Sequence, residues 1–244
     1  RTASQRGHCV DLFEKSDCLG GVLNMAAAPD FKADIKNYLE WSIRSVNMCD
    51  NVTVHLNTEA KPEDLSGYEV VVVAIGSEPI IPQFVKDNPN VVWVGDLEKG
   101  NATVGDDVVI VGAGLTGCEC ALSLSKQGKN VTLVDMIDEQ SFGSGGAKFN
   151  QVALMGLLND NHVKCIGNVK LVSNNNQLGF EHNGQSMDLA YDHVVLSLGV
   201  RPNPEVLSTF EDCANEVIYI GDCNTRIGTL YNAVHTAHEA ASVL

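Results

Sequence analysis

Three glycines and one carboxylate carry the clearest chemistry in this chain. Gly112, Gly114 and Gly117 stand in G-x-G-x-x-G spacing, and Asp135 follows. Glycine at the first position allows a tight turn from strand to helix. At the second it lets backbone approach a pyrophosphate without a Cβ in the way, and at the third it lets helix and strand pack closely. A carboxylate about 20 residues on can accept the ribose hydroxyls of an adenosine. Met136 and Ile137 follow Asp135, with no Arg close by. A 2′-phosphate would meet an acid without a base, so the pattern favours NADH over NADPH. Glu119, just inside the following helix, either contacts the nicotinamide carboxamide or ribose, or simply complements the positive helix end.

An ordinary glycine turn would account for the glycines alone, but not for what surrounds them. Val108-Val109-Ile110-Val111 reads as a strand buried on both faces. Cys118 to Lys126 reads as a helix, and Gly128 is a plausible stop. Val131 to Val134 reads as a second strand ending on Asp135. Strand, glycine loop, helix, strand and acid in that order predict a βαβ dinucleotide unit. Its helix N-terminus offers unpaired N–H groups to phosphate.

The same pattern recurs at the start of the chain. Gly7-His8-Cys9-Val10-Asp11-Leu12-Phe13-Glu14 aligns with Gly128-Lys129-Asn130-Val131-Thr132-Leu133-Val134-Asp135, with Gly, Val, Leu and the terminal acid at equal offsets. Glu14 therefore takes the ribose-acid position of a second half-site. The glycine loop matching Gly112 would fall before Arg1. The expectation is of a cut chain that starts inside the first helix of a Rossmann unit. A second pair supports duplication: Tyr68 to Pro79 matches Tyr191 to Pro202, with Tyr, Gly and Pro in register. Each is a buried strand closed by a glycine turn and a proline that stops pairing.

Between these anchors, Cys18 to Ala28 reads as a flexible connection, whose Gly20 and Gly21 suit close approach of backbone to a ligand. Phe31 to Val46 has an amphipathic helical pattern. Val52 to Leu56 and Val91 to Val94 read as strands, and Ser141 to Lys148 as a glycine-rich loop. Phe149 to Asn159 reads as a helix. Val163 to Val172, Gln177 to His182 and Ser186 to Ala190 predict a meander turning at Asn183-Gly184. Glu216 to Ile220 is a strand ending in Gly221-Asp222, ahead of a helix over Tyr231 to Leu244.

Composition narrows the class. The 244 residues carry a formal charge of −15, which argues against nucleic acid and anionic membrane surfaces as partners. No apolar run approaches the ~20 residues that span a bilayer. Eight cysteines are scattered and none form C-x-x-C. Neither a redox dithiol nor a compact zinc or iron–sulfur site is expected, and no metal ligands are assigned. Small thiols in a reducing cytosol are the plain reading, which predicts a cytoplasmic protein.

Taken in order, these motifs resemble the flavoprotein reductases with two dinucleotide-binding domains. The resemblance implies an α/β fold of two Rossmann-like domains, the first truncated at its N-terminus. It implies that Glu14 grips the FAD adenosine ribose and that Ala74-Ile75-Gly76 and Ser197-Leu198-Gly199 are the two strand ends that close the nucleotide units. Gly221-Asp222 would be a late FAD motif, and Gly112 to Asp135 the NAD(H) loop. The implied partition is an FAD-binding domain over 1–100 and 206–244, with an NAD(H)-binding domain over 101–205.

The stretch from Leu12 through Gly21, then Pro29-Asp30-Phe31-Lys32, is similar to the C-terminal half of NADH:flavin oxidoreductases of the 2,4-dienoyl-CoA reductase, enoate reductase and trimethylamine dehydrogenase type. In those proteins an N-terminal barrel holds FMN with a four-iron cluster nearby. Neither is encoded here, so the missing barrel becomes an expected partner and the seat of substrate choice. The implied activity passes hydride from NADH to FAD, with no catalytic acid or base required of the chain. The alternatives are an adenine-nucleotide-binding module without turnover, or a dehydrogenase with its own substrate pocket. The latter leaves the duplicated motifs unexplained.

Overall fold

In the computed structural model, residues 1–174, 177–224 and 228–244 are described. In chain order the main strands are β1 Val10–Phe13, β2 Val52–His55, β3 Val70–Val73, β4 Val91–Trp93, β5 Asp107–Val111, β6 Asn130–Val134, β7 Lys164–Ile166, β8 Val169–Asn174, β9 Gln177–His182, β10 Gln185–Met187, β11 His193–Leu196 and β12 Glu216–Tyr219. A single turn, α1 Thr2–Gln5, precedes β1, and the long helices are α2 Ala33–Asn47, α3 Leu115–Lys126, α4 Lys148–Asp160 and α5 Leu230–Val243. The chain divides into two compact units. One comprises Arg1–Leu23, Asp34–Glu78 and Val200–Leu244, and the other Asn24–Ala33 and Pro79–Gly199. The boundaries read from sequence stood at residues 100 and 205.

The second unit is built on a five-stranded parallel sheet, ordered β4-β11-β5-β6-β7. β5 lies at its centre, which is why Val108, Val109, Ile110 and Val111 are at most 4% exposed. Helix α3 returns the chain from β5 to its parallel neighbour β6, and α4 does so from β6 to β7, as parallel pairing requires. Ala121, Leu122 and Leu124 of α3 pack with Val108, Ile110 and Leu133 in one core. A second core beyond the sheet joins Val109, Val111, Val134 and Val194 to Val169 and Phe180 of the antiparallel meander β8-β9-β10.

The first unit holds two separate parallel pairs, β1-β2 and β12-β3. Its core gathers Leu65, Val73, Phe210, Cys213 and Cys223, with Phe13, Tyr68 and Val71 against them. The next main strand after each closing strand pairs with the other half's closing strand: β4, after β3, beside β11, and β12, after β11, beside β3.

Several local expectations need correction. The single strand read over Val163 to Val172 breaks at Gly167-Asn168. Asn168 has φ +59, and a Cβ on Gly167 would lie 2.7 Å from the Glu139 amide nitrogen, so the chain bends there. Helix α3 begins at Leu115, ahead of the expected Cys118, because Gly114 itself is the N-cap. The connection read over Cys18 to Ala28 contains a short helix, Val22–Ala26. Val94 leaves its strand to start another, Val94–Glu98.

Candidate functional site

The glycine loop sits where β5 runs into α3. Gly112 has φ +108, and a Cβ there would lie 2.3 Å from the Ser197 carbonyl oxygen. At Gly117 a Cβ would lie 1.9 Å from the Gly112 carbonyl oxygen. Both glycines are therefore fixed by backbone packing against backbone. Gly114 is different: a Cβ there would meet nothing within 4 Å. The space above Gly114 is open, as a cradle for a phosphate must be. As N-cap it offers no side-chain hydrogen bond, and the first turn of α3 carries no acid. The helix thus presents its positive end and its first N–H groups without an internal anion.

Asp135 closes this site. It follows β6, and its amide donates to the Ile166 carbonyl at 3.4 Å. Its Oδ2 accepts from the Ala113 amide in the glycine loop at 2.6 Å, and its Oδ1 from the Ile137 amide at 3.3 Å. Loop and acid are one hydrogen-bonded assembly. The Ala113 carbonyl also accepts from the Gly143 amide at 2.8 Å, which ties the Ser141 to Lys148 loop to it. Beside Asp135 lies a hollow of about 310 Å³ lined by Met136, Asn168, Lys170, Glu181 and Asn183.

Glu119 is engaged elsewhere. Its carboxylate pairs with Lys32, and each side chain is only 16% exposed. Phe31 lies under the Lys126 ammonium, 5.5 Å from the ring centre. The segment Asn24–Ala33 is thereby held on α3 by a charge pair and a cation–π contact. Glu98 stands close by. Burial raises its pKa, opposed by a hydrogen bond with Cys120 and the positive charge of Lys32. Lys32 and Glu98 were not singled out as site residues, because their proximity depends on the fold.

Glu14 has the same relation to its sheet that Asp135 has. It follows β1, and its amide donates to the His55 carbonyl at the end of β2, at 2.9 Å. Its carboxylate, however, accepts from the amide and hydroxyl of Ser16, at 2.8 and 2.7 Å. Gly20 and Gly21 have φ +119 and +51. After β3 come Ala74 and Gly76, the latter at φ +72, and then Ser77, whose hydroxyl oxygen is buried without a hydrogen-bond partner. Gly199 ends the closing strand of the second unit in the same left-handed conformation. Gly221 follows β12 at φ +67, and the Asp222 Oδ1 accepts from the Gly228 amide at 2.9 Å.

Two thiols of the glycine-loop helix, Cys118 and Cys120, are buried in the core. Burial pushes Cys118 up to about 12 and Cys120 well above its ordinary range. No cluster of metal-ligating side chains occurs among the described residues, and no described helix is long and apolar enough to cross a membrane.

Comparison with known proteins agrees with this architecture. The family model described as "Pyridine nucleotide-disulphide oxidoreductase" matches residues 3–237. Over 100% of the chain there is 30% identity to a bilirubin reductase of Mediterraneibacter gnavus, covering 38% of that protein. A cinnamate reductase of Clostridium sporogenes is 30% identical over 99% of the chain and 36% of its own length. A solved 2-naphthoyl-CoA reductase complex superposes with TM-score 0.89 at 25% identity, over 99% of this chain and 37% of that one. The chain thus spans little more than a third of the curated relatives it matches.

Proposed function

The chain belongs to the pyridine nucleotide-disulphide oxidoreductase family, and from that premise we propose that it is the NADH-oxidising, FAD-binding part of a larger reductase. It is a flavin-dependent oxidoreductase-type domain related to the enoate and naphthoyl-CoA reductases. In the finer reading, the second unit holds NADH. Gly112, Gly114 and Gly117 admit the pyrophosphate, and Asp135 accepts the ribose hydroxyls. The first unit contributes Glu14, Gly20, Gly21, Ala74, Gly76, Gly221 and Asp222 to FAD. When bound, NADH supplies a hydride and FAD accepts it. The chain's own residues bind and orient; none is assigned as a proton donor or acceptor. Gly199 gives the closing strand its turn, and Glu119, neutralised by Lys32, adds no free negative charge beside the helix N-terminus.

The observation that carries this reading is the open space at Gly114 beside the Asp135–Ala113 hydrogen bond. Onward transfer to a barrel with FMN and a four-iron cluster, and reduction of an enoate or enoyl-CoA-like substrate there, is part of the proposal. The names of the cinnamate and 2-naphthoyl-CoA relatives support that substrate class. A cytoplasmic location belongs to the same proposal.

Two observations favour a narrower role for the chain by itself. Glu14 is satisfied by Ser16, and the first unit's parallel strands form two separate pairs where the second unit's parallel strands form one five-stranded sheet. By itself, then, the chain acts as an adenine-nucleotide-binding module. Titration with NADH, then with FAD, separates the two roles. A bleachable flavin band at full occupancy supports the reductase part, and NADH binding without flavin supports the module. Absence of NADH binding overturns both.

A further inference from the structure

We infer that Gln151, a buried side chain of α4, is a positioning residue for the nucleotide site: it acts through two peptide planes to aim the Gly114 amide at a pyrophosphate oxygen. The identity of the ligand rests on the proposed function, but the relay itself is read from hydrogen bonds within the second unit.

Gln151 is a polar residue in an apolar place. It is 7% exposed, and Leu154, one turn on, shares a buried core with Phe142. A side-chain amide is costly in such a place unless its polar groups are paired. Here they are. Its Nε2 donates to the Gln140 carbonyl at 3.1 Å and to the Phe142 carbonyl at 2.7 Å. Its Oε1 accepts from the Lys148 ammonium at 2.8 Å. An apolar side chain of similar size would fill the same space, so packing alone does not call for glutamine. Donors directed at one turn do what packing does not: they fix the orientation of a peptide.

That peptide joins Phe142 to Gly143. Phe142 is fully buried, and Gly143 has φ +65, a turn that glycine takes most readily. A trans peptide is planar, with its carbonyl and its N–H on opposite sides. Gln151 holds the Phe142 carbonyl on one side. On the other, the Gly143 amide donates to the Ala113 carbonyl at 2.8 Å. The Ala113 carbonyl belongs to the next plane, the peptide that joins Ala113 to Gly114. Holding that carbonyl towards Gly143 turns the Gly114 N–H the opposite way. The Cys118 thiol also donates to it, at 3.4 Å, but a thiol is a weak donor.

Asp135 fixes the plane before, through the Ala113 amide. The two planes that flank Ala113 are therefore set separately, one by Asp135 and one by Gln151. Asp135 is placed to meet a ribose directly. Gln151 acts through backbone alone, and its influence falls on the amide offered to phosphate at the start of α3.

The test is Gln151→Met in the full chain, which keeps the volume and removes both donors. In isotope-labelled protein without ligand, the amide resonances of Gly143 and Gly114 are expected to move. NADH should bind on the order of tenfold more weakly. Adenosine, which keeps the ribose hydroxyls and lacks the pyrophosphate, should bind the variant and the original chain alike. Gln151→Glu keeps the size and the Lys148 contact but has no donor when ionised. It should give the same pattern, and it takes over if the Met variant does not fold.

Equal losses of NADH and adenosine affinity overturn the inference, because they make Gln151 a packing residue for the whole site. Unchanged NADH affinity overturns it as well, and so does a Gly114 resonance that stays in place. Loss of folding in both variants assigns Gln151 to stability and overturns it too. Failure of the original chain to bind NADH sinks the functional reading. The relay is then decided by the Gly114 resonance in Gln151→Met, standing if it moves and falling if it does not.

Discussion

Two carboxylates, Glu14 and Asp135, follow matching strands and end up differently employed. Each amide donates to the last residue of the next parallel strand. Asp135 then reaches across to the Ala113 amide of the glycine loop, whereas Glu14 folds back on Ser16. What separates them is the strand and loop alongside. Beside the strand end at Asp135 the glycine loop offers an amide, and Glu14 takes the nearer Ser16 instead. The same contrast runs through the sheets, continuous in one unit and split in the other.

The contrast can be broken most forcefully at Gly117. Replacement by Ala drives a Cβ into the Gly112 carbonyl, and we expect a loss on the order of 1–3 kcal/mol of stability together with loss of NADH binding. Thermal melting and titration calorimetry check both. Gly114→Ala sharpens the same point, because nothing in the chain opposes the added carbon. Its melting temperature should hold while NADH affinity falls at least about tenfold. A fall in both would show that Gly114 serves packing.

Asp135→Ala removes the acceptor for Ala113 and Ile137. It should cost roughly 1–3 kcal/mol, weaken NADH and spare NADPH. The matching Glu14→Ala should stay within about 0.5 kcal/mol and leave NADH affinity alone. Equal NADH losses in the two variants would dissolve the comparison.

Thiol labelling contrasts an exposed site with the buried core. At pH 8, iodoacetamide should modify exposed Cys9 and leave Cys118 and Cys120 intact by mass spectrometry, since burial disfavours their thiolates.

The smallest effect is expected at Glu98. Burial raises its pKa above the unfolded value. Its folded state therefore favours the protonated carboxyl, and that advantage is present at low pH and lost as pH rises through the folded value. Glu98→Gln should raise the melting temperature by on the order of a degree or two at pH 8, with less gain near pH 4. A larger gain at low pH would contradict the sign.

Much of this was legible in sequence because periodicity and glycine spacing report local backbone needs. The apolar run at Val108 to Val111 forms a central strand, the three glycines form its turn into the helix, and Asp135 stands beside that turn, while the offsets of Gly7 and Glu14 match strands that pair in the same way. What escaped were relations set by distant parts of the chain. Lys32 lies far from Glu119 in sequence, and nothing local marks either as a pair. The break at Gly167-Asn168 depends on the Glu139 backbone beside it. The exchange of β4 and β12 between units follows from sheet order, which no local pattern encodes.

The central claim is that the complete crossover, and not the first half, grips the dinucleotide in this chain. Amide chemical shifts of isotope-labelled protein during NADH titration test it most directly. The account predicts saturable changes concentrated in Gly112 to Gly117 and at Asp135, with Gly7 to Glu14 unmoved. Changes centred on Gly7 to Glu14, with the glycine loop silent, would contradict it.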